Sequence, residues 1–304
     1  MCEIFHDDGW VRIIHGDALK ALRGMPSESV DCVITSPPYW GLRDYGEEAV
    51  VEWPDGWKGQ LGSEPTCKLY IEHLLMITAE LRRVLRKTGV MFWNHGDCYG
   101  RERDKCLALQ NFRLILRMVD EQCWILRNII IWHKIRSTPE SVKDRFTNTY
   151  EPVFMLVKDK KYWFDLDTVR EPPRVPIDEA PKRFGRLDPE RKGAKFSMEG
   201  MVKYQRFVHP LGKNPGDVWQ IAPANFMGNH FAVFPEKLVE RCIKAGCPKG
   251  GLVLDPFAGS GTTGAVAKRL GRKAILIEIV REYCEMARER VAKETPALPL
   301  GERR

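Results

Sequence analysis

Short apolar runs alternate along this chain with longer segments in which apolar residues recur every three or four positions. Runs of consecutive apolar residues predict strands that are covered on both faces, as in a parallel sheet. The predicted strands are residues 11–14, 30–35, 90–94, 125–132, 153–157, 162–164, 252–255 and 274–278.

The segments between these runs have the periodicity of amphipathic helices. Residues 69–87 show it most clearly, and Gly89 follows where a helix commonly ends. The predicted helices are residues 69–87, 104–119, 235–245, 262–270 and 282–291. Because strands and helices alternate, we predict an α/β fold with a doubly wound, mainly parallel sheet.

This alternation stops between residues 166 and 225, where proline is frequent and apolar periodicity fades. Within this region, residues 170–213 carry eleven Lys or Arg against six Asp or Glu. We predict one main domain formed by residues 1–165 and 226–295, an insert or small subdomain at 166–225, and a tail at 296–304. A solvated, partly disordered loop is the alternative interpretation of the insert.

Composition narrows the class of protein further. The 304-residue chain is 43% apolar, has no apolar run long enough to span a bilayer, and begins without the layout of a signal peptide, so we expect a cytoplasmic protein. Its nine cysteines form no C-x-x-C pair, which favours neither a disulfide framework nor a metal site. The net charge of +7, concentrated in the insert, predicts a polyanionic partner.

Residues 252–279, LVLDPFAGSGTTGAVAKRLGRKAILIEI, indicate a nucleoside-binding unit. The segment predicts a strand, a glycine turn, a helix and a second strand, and Gly259, Gly261 and Gly264 satisfy G-x-G-x-x-G. Glycines allow the backbone to approach a ligand, and Glu278 at the end of the second strand can accept hydrogen bonds from ribose hydroxyls. A purely structural tight turn is the alternative.

The surroundings of this unit favour S-adenosylmethionine as the cofactor. Only 26 residues follow Glu278, which leaves no room for the second half of an NAD-binding fold. Asp255, just before the glycine turn, would repel a pyrophosphate but attract an amino-acid ammonium group. The chain also lacks the G-x-x-x-x-G-K-[ST] pattern of a P-loop.

A second motif, DCVITSPPYWG at residues 31–41, takes an apolar strand directly into two prolines. Proline cannot donate to a sheet ladder, so the strand must end there and the following residues must face a cleft. The prolines hold Ser36 and the Pro37 carbonyl rigidly, and Tyr39 adds an aromatic surface. Taken by itself, a plain turn at the end of a strand would explain this motif as well.

Together the two motifs resemble those of the amino DNA methyltransferases, specifically the beta class, in which the catalytic strand precedes the cofactor strand. The resemblance covers most of the chain and includes HGDAL (15–19), TSPPYW (35–40), VMFWNHGD (90–97), RFTNTYEPVFMLVK (145–158), HFAVFPEKL (230–238) and DPFAGSGTTG (255–264). It implies a circularly permuted, Rossmann-like methyltransferase sheet and a target-recognition role for the basic insert.

The resemblance also implies roles for individual residues. The implied catalytic residues are Ser36, Pro37, Pro38 and Tyr39. The implied cofactor-binding residues are Asp17, Asp255, Pro256, Phe257, Gly259, Ser260, Gly261, Thr262, Thr263, Glu278, His230 and Phe231. The implied contacts to double-stranded DNA are Lys182, Arg183, Arg186, Arg191 and Lys192.

Several of these residues have a structural alternative. Asp17 would contact the adenine of the cofactor, or it would cap a helix that starts after it. His230 and Phe231 could equally pack beneath the following helix, and Asp255 could cap the glycine turn. Outside the motifs, Trp53 could help to shape the base pocket or cover the core, of which we favour the latter. Glu151 is expected to hold the far half of the sheet.

The implied activity is methyl transfer from S-adenosylmethionine to the exocyclic N4 of cytosine in duplex DNA, by base flipping and direct in-line displacement. N6-adenine methylation is the alternative, and a protein or RNA methyltransferase or a non-enzymatic DNA-binding protein is less expected. C5-cytosine chemistry would need a nucleophilic cysteine after a proline, whereas the chain has only Cys247-Pro248, in the reverse order. The resemblance allows a homodimer.

Overall fold

The fold is described by a computed structural model. It describes residues 2–100, 102–135, 140–172, 209, 211–224 and 234–297. These residues include eleven strands: β1 (Glu3–Asp7), β2 (Val11–His15), β3 (Val30–Thr35), β4 (Val51–Glu52), β5 (Lys58–Gly59), β6 (Leu85–Asn94), β7 (Ile125–Lys134), β8 (Tyr150–Val157), β9 (Val218–Ile221), β10 (Leu252–Asp255) and β11 (Lys273–Glu278). The six described α-helices are α1 (Ala18–Arg23), α2 (Cys67–Val84), α3 (Gln110–Gln122), α4 (Glu236–Gly246), α5 (Thr262–Arg269) and α6 (Arg281–Ala292).

Nine strands form one mixed sheet in the order β1-β2-β11-β10-β3-β6-β8-β7-β9. The five strands from β2 to β6 in this order are parallel to one another, and β9 is parallel to β7. The pairs β1 with β2, β6 with β8, and β7 with β8 are antiparallel. The sheet is therefore mainly parallel, and β3 lies beside β10 although some 220 residues separate their ends.

Helices cover both faces of this sheet, as strand β3 shows. Its Val33 belongs to the large core cluster that includes Leu74 and Ile77 of α2. Its neighbour Cys32 points to the other face, because its sulfur lies 3.3 Å from the position of a Cβ added at Gly246 of α4. The predicted doubly wound α/β fold is confirmed.

Several details differ from the sequence prediction. The helix predicted at 104–119 begins only at Gln110 and ends at Gln122. Helix α2 ends at Val84, and β6 follows directly at Leu85, so Gly89 lies within a strand and does not end the helix. A Cβ at Gly89 would lie 2.9 Å from the Asp31 carbonyl, which shows that the glycine is needed for close strand packing.

The strands differ as well. Residues 162–164 are not a strand, and the sequence pattern does not predict β1, β4, β5 and β9.

The chain divides into two compact units, one of Met1–Phe164 with Asp217–Arg304 and the other of Asp165–Gly216. Most of the second unit lies outside the described residues; in the described part, the Arg170 guanidinium donates to the Gly212 carbonyl. Strand β9 lies within the predicted insert but belongs to the main sheet. The division at residues 166 and 225 stays a prediction. None of the described helices is long and apolar enough to cross a membrane.

Candidate active site

A cavity of about 480 Å³ lies where β2, β3, β10 and β11 end. Parallel strands present their carboxyl ends at one edge of a sheet, and ligands of open α/β folds bind there. Both Pro37, after β3, and Gly259, after β10, line this cavity. The two motifs that the sequence places at opposite ends of the chain thus share one site.

Asp255 links the two motifs at the base of the cavity. Its carboxylate accepts a hydrogen bond from the Thr35 hydroxyl at 2.7 Å and another from the Thr263 hydroxyl at 2.6 Å. The backbone N–H of Phe257 donates to it at 3.1 Å. Because Asp255 is buried, its pKa is raised to about 6. These contacts give Asp255 the turn-capping role that the sequence left open.

Glu278 is the last residue of β11, and its side chain binds the backbone of the glycine turn. Its side chain accepts hydrogen bonds of 2.8 Å from the backbone N–H groups of Gly259 and Val280. Burial raises its pKa to about 7. A carboxylate oxygen can accept more than one hydrogen bond, so Glu278 can still bind donors that enter the cavity.

The three glycines of the turn have different steric roles. Gly259 has a φ of +50°, and a Cβ added there would meet nothing within 4 Å, so its backbone is open to a ligand. A Cβ at Gly261 would lie 2.8 Å from the Cα of Ala287 in α6, and one at Gly264 would lie 2.7 Å from Leu276 Cδ1. The first glycine therefore admits a ligand, and the other two allow α5 to pack.

Asp17 follows β2 and also lines the cavity. Its side chain accepts a 2.8 Å hydrogen bond from the backbone N–H of Lys20, so it is the N-cap of α1. A carboxylate that caps a helix through one oxygen still has acceptor capacity, so the helix-capping role and the predicted cofactor contact are compatible.

Tyr39 lies at the centre of a hydrogen-bond network that the sequence did not reveal. Its hydroxyl accepts from Ser36 Oγ at 3.0 Å and lies 2.9 Å from Glu151 Oε2 and 3.3 Å from Asn94 Oδ1. Glu151 in turn accepts from Lys134 Nζ. Burial, with a further contribution from Glu151, holds the pKa of Tyr39 well above its usual value, so the hydroxyl keeps its proton.

Asn94, Lys134 and Glu151 all line the cavity, and sequence reasoning missed them as site residues. From the sequence, Glu151 is expected only to hold the far half of the sheet. The available signal was their position, because Asn94 and Lys134 end long apolar strands and Glu151 lies opposite Trp132 in the β7–β8 pair. That signal depends on knowing that β8 runs antiparallel beside β6, which the pattern alone does not reveal.

Buried polar groups hold the backbone of the proline pair in place. The Tyr70 hydroxyl donates to the Pro38 carbonyl at 2.7 Å and therefore accepts, at 3.1 Å, from His95 Nε2. Burial lowers the pKa of His95 to about 3, so the ring is neutral. Among the described residues, no backbone N–H donates to the Pro37 carbonyl, and Pro37 lines the cavity.

Packing fixes the Tyr39 ring as tightly as its hydroxyl. The ring centroid lies 5.3 Å from that of His95, and a Cβ added at Gly96 would lie 2.7 Å from Tyr39 Cε2. Trp53 is buried and also lines the cavity, so both roles that the sequence allows for it, covering the core and shaping the pocket, are compatible. Its ring stacks on His73 at 3.9 Å, and His73 Nδ1 lies 2.8 Å from the buried Glu64 carboxylate.

The remaining predicted site residues divide into two groups. Pro256, Phe257, Ser260, Thr262 and Thr263 line the cavity, together with Ser36, Pro37, Pro38 and Tyr39. His230, Phe231 and the five basic residues of the insert, Lys182, Arg183, Arg186, Arg191 and Lys192, lie outside the described residues. Within the described part of the chain, no cluster of His, Cys, Asp or Glu could hold a metal ion.

The chain matches a family model described as DNA methylase over residues 30–289. The Type II methyltransferase M.SmaI of Serratia marcescens is 35% identical over 308 residues, which cover 93% of this chain and 91% of that protein. The DNA adenine methyltransferase YhdJ of Escherichia coli (strain K12) is 32% identical over 287 residues, which cover 92% of this chain and 82% of that protein.

Two solved structures share the fold. The PvuII DNA methyltransferase (cytosine-N4-specific) has a TM-score of 0.66 at 22% identity and covers 93% of this chain and 86% of its own. A Thermus thermophilus protein named as a putative DNA modification methylase, solved in complex with S-adenosyl-L-methionine, has a TM-score of 0.58 at 26% identity, and the match covers 93% of each chain. The extent of the family match and the level of identity to M.SmaI show that the chain belongs to the N6/N4 DNA methylase family, the amino DNA methyltransferases.

Proposed function

We propose that this enzyme methylates the exocyclic N4 of cytosine at a specific site in duplex DNA, with S-adenosylmethionine as the methyl donor. The observation that carries the proposal is the single cavity shared by Pro37 and Gly259. One side of it has hydrogen-bond acceptors and an aromatic ring for a base, and the other has an open glycine backbone and a carboxylate for a nucleoside.

The residues of the glycine side fit S-adenosylmethionine, the cofactor predicted from the sequence. Gly259 leaves space beside its backbone, and Glu278 presents carboxylate oxygens that suit ribose hydroxyl donors. Asp17 can accept from an adenine amino group. When bound, S-adenosylmethionine supplies an electrophilic methyl group on a positively charged sulfur.

The residues of the proline side would hold the amine that is methylated. The lone pair of an exocyclic amine is delocalised into the base, so the amine is a weak nucleophile. Acceptors at the Pro37 carbonyl and at Ser36 would bind its two protons and favour a tetrahedral nitrogen. The Tyr70–Pro38 hydrogen bond and the Tyr39 network keep these acceptors in place before the base arrives, so little reorganisation is needed.

Because the amine is out of reach inside a duplex, the base must be flipped into the cavity. Tyr39 and Trp53 provide aromatic surfaces in its walls. Transfer is a direct in-line displacement and needs no covalent intermediate on the protein. This agrees with the state of Cys32, Cys242 and Cys247, which are buried and whose pKa values burial raises.

Cytosine is the favoured base because Ser36 stands at the first position of the catalytic motif, where N4-cytosine enzymes more often have serine and N6-adenine enzymes more often have aspartate. Adenine remains the second candidate, and the similarity to YhdJ, which is named as an adenine methyltransferase, supports it. A protein substrate is less favoured because the basic insert suits a phosphate backbone.

Tritium transfer from labelled S-adenosylmethionine to duplex DNA tests the activity, and mass spectrometry of the digested product identifies the base. We expect N4-methylcytosine. If the product is N6-methyladenine, the target base is adenine and not cytosine. If the label appears on protein instead of DNA, the proposed DNA methyltransferase activity is wrong. Ser36→Ala should abolish transfer while cofactor binding survives, since Ser36 belongs to the base side.

We also propose that the segment 166–225 recognises the target and that Lys182, Arg183, Arg186, Arg191 and Lys192 contact phosphates. Replacing these five residues by glutamine should weaken duplex binding and reduce its dependence on salt concentration. Binding that keeps the affinity and salt dependence of the wild type would exclude the role. A homodimer and a cytoplasmic location remain proposals that sedimentation and cell fractionation would test.

A further inference from the structure

Phe146 is the most exposed large apolar side chain among the described residues, with 96% of its surface accessible. Single exposed apolar residues are common, so exposure alone carries no argument. The position of Phe146 is more informative. It lies on the connection between β7 and β8, the two strands that contribute Lys134 and Glu151 to the cavity.

The connection is anchored on both sides of Phe146. Before it, the Asp144 carboxylate accepts from Lys105 Nζ at 2.7 Å, and the Arg145 guanidinium lies 4.1 Å from the Tyr99 ring centroid. After it, Asn148 Oδ1 lies 3.5 Å from the Tyr99 hydroxyl. The aromatic side chain therefore projects into solvent between residues whose side chains contact Tyr99 and Lys105.

This anchored position is close to the cavity. The Thr149 carbonyl accepts a 2.7 Å hydrogen bond from the backbone N–H of Lys134, which lines the cavity. Phe146 is three residues before Thr149, so their Cα atoms are at most about 11 Å apart. The charged side chains beside it are mixed: Lys143 is exposed, whereas the Arg145 guanidinium pairs with Glu140 at 2.6 Å. Phe146 is therefore near enough to the cavity for a duplex that delivers a base there to reach it.

We propose that Phe146 enters the duplex and stacks in the space that the flipped nucleotide leaves. The proposal rests on the proposed function. An empty space in the stack favours return of the base, whereas an aromatic ring in that space stacks on the neighbouring bases and holds the base outside. Phe146 would be a positioning residue, because it acts on the duplex and does not touch the reacting atoms.

The test compares Phe146→Ala with the wild type on two duplexes that carry the methylation site found by sequencing wild-type product. In one, the target base is paired. In the other, an abasic residue lies opposite it, so no pair must be broken. We expect Phe146→Ala to lower kcat/KM by about tenfold or more on the paired duplex and much less on the abasic one. Phe146→Trp should restore most of the rate.

Leu116→Ala is the matched control, because Leu116 is 64% exposed on α3, a helix that contributes no residue to the described cavity lining. It should behave as wild type on both duplexes. Equal kcat/KM for wild type and Phe146→Ala on the paired duplex, or equal losses on both duplexes, would overturn the inference. A wild-type protein that methylates no DNA would contradict the proposed function itself.

Discussion

Thr35, the last residue of β3, donates a 2.7 Å hydrogen bond to Asp255, the last residue of β10. Both residues are buried, and 220 positions separate them in the sequence. This bond joins the end of the strand that leads to the proline pair to the end of the strand that leads to the glycine turn. It gives the site a fixed separation between its two halves.

Thr35→Val should therefore lower the free energy of unfolding, because it removes the hydrogen bond to Asp255. Valine has nearly the shape of threonine, so the main change is a buried carboxylate that loses one donor, which costs about 1–3 kcal/mol in the free energy of unfolding. Urea unfolding at neutral pH measures it. Thr35→Ser keeps the hydroxyl and should cost less; equal losses for both variants would show that the methyl group matters and the hydrogen bond does not.

Cofactor affinity should rise with pH through the titration of Glu278, whose pKa burial raises to about 7. Below that pH the group is a neutral acid and a poorer acceptor for ribose hydroxyls; above it the group is a carboxylate. If the protonated form does not bind, the Kd for S-adenosylmethionine should be about tenfold weaker at about pH 6 than at about pH 8.

Calorimetric titration across this range provides the measurement, and Glu278→Gln serves as its control because an amide does not titrate. The variant should bind more weakly at high pH and show a flatter profile. Asp255 titrates nearby with a pKa of about 6, so the decisive interval lies above that value. An unchanged slope in Glu278→Gln would assign the pH dependence to another group.

Removing only the hydroxyl of Tyr39 should impair the reaction more than cofactor binding. Tyr39→Phe keeps the ring against His95 but deprives Ser36 of its acceptor and Glu151 of its donor. We expect a loss of about tenfold or more in kcat, because the acceptors for the amine are no longer held in place. Steady-state methylation kinetics and the Kd for S-adenosylmethionine, measured together, distinguish this result from general damage to the cavity.

The first two glycines of the turn should respond differently to alanine. Gly261→Ala combines a left-handed φ of +78° with a Cβ 2.8 Å from the Ala287 backbone, so it should cost more than about 2 kcal/mol of stability. Gly259→Ala meets no atom and should cost about 1 kcal/mol for its conformation, but its methyl group enters the space assigned to the cofactor.

Thermal unfolding and cofactor titration of the two variants test this difference. Gly261→Ala should lose mainly stability, and Gly259→Ala mainly affinity. If Gly259→Ala binds S-adenosylmethionine as tightly as the wild type, the cofactor does not approach that part of the turn.

The sequence by itself determined the α/β class, the sequence positions of most sheet strands and the two motifs. These features depend on local chemistry: apolar runs predict buried strands, prolines end a strand, and glycines permit backbone conformations that other residues avoid. The family resemblance followed from the same residues and is confirmed by the match over residues 30–289.

Only the tertiary structure decided which polar groups meet. Glu151 is 112 positions from Tyr39, and its role depends on β8 lying antiparallel between β6 and β7, so that its carboxylate reaches the end of β3. Asp255 likewise proved to be a buried acceptor for Thr35 and Thr263. Such contacts arise from strand order and register, which set distances between residues far apart in the chain and leave no periodic signal in the sequence.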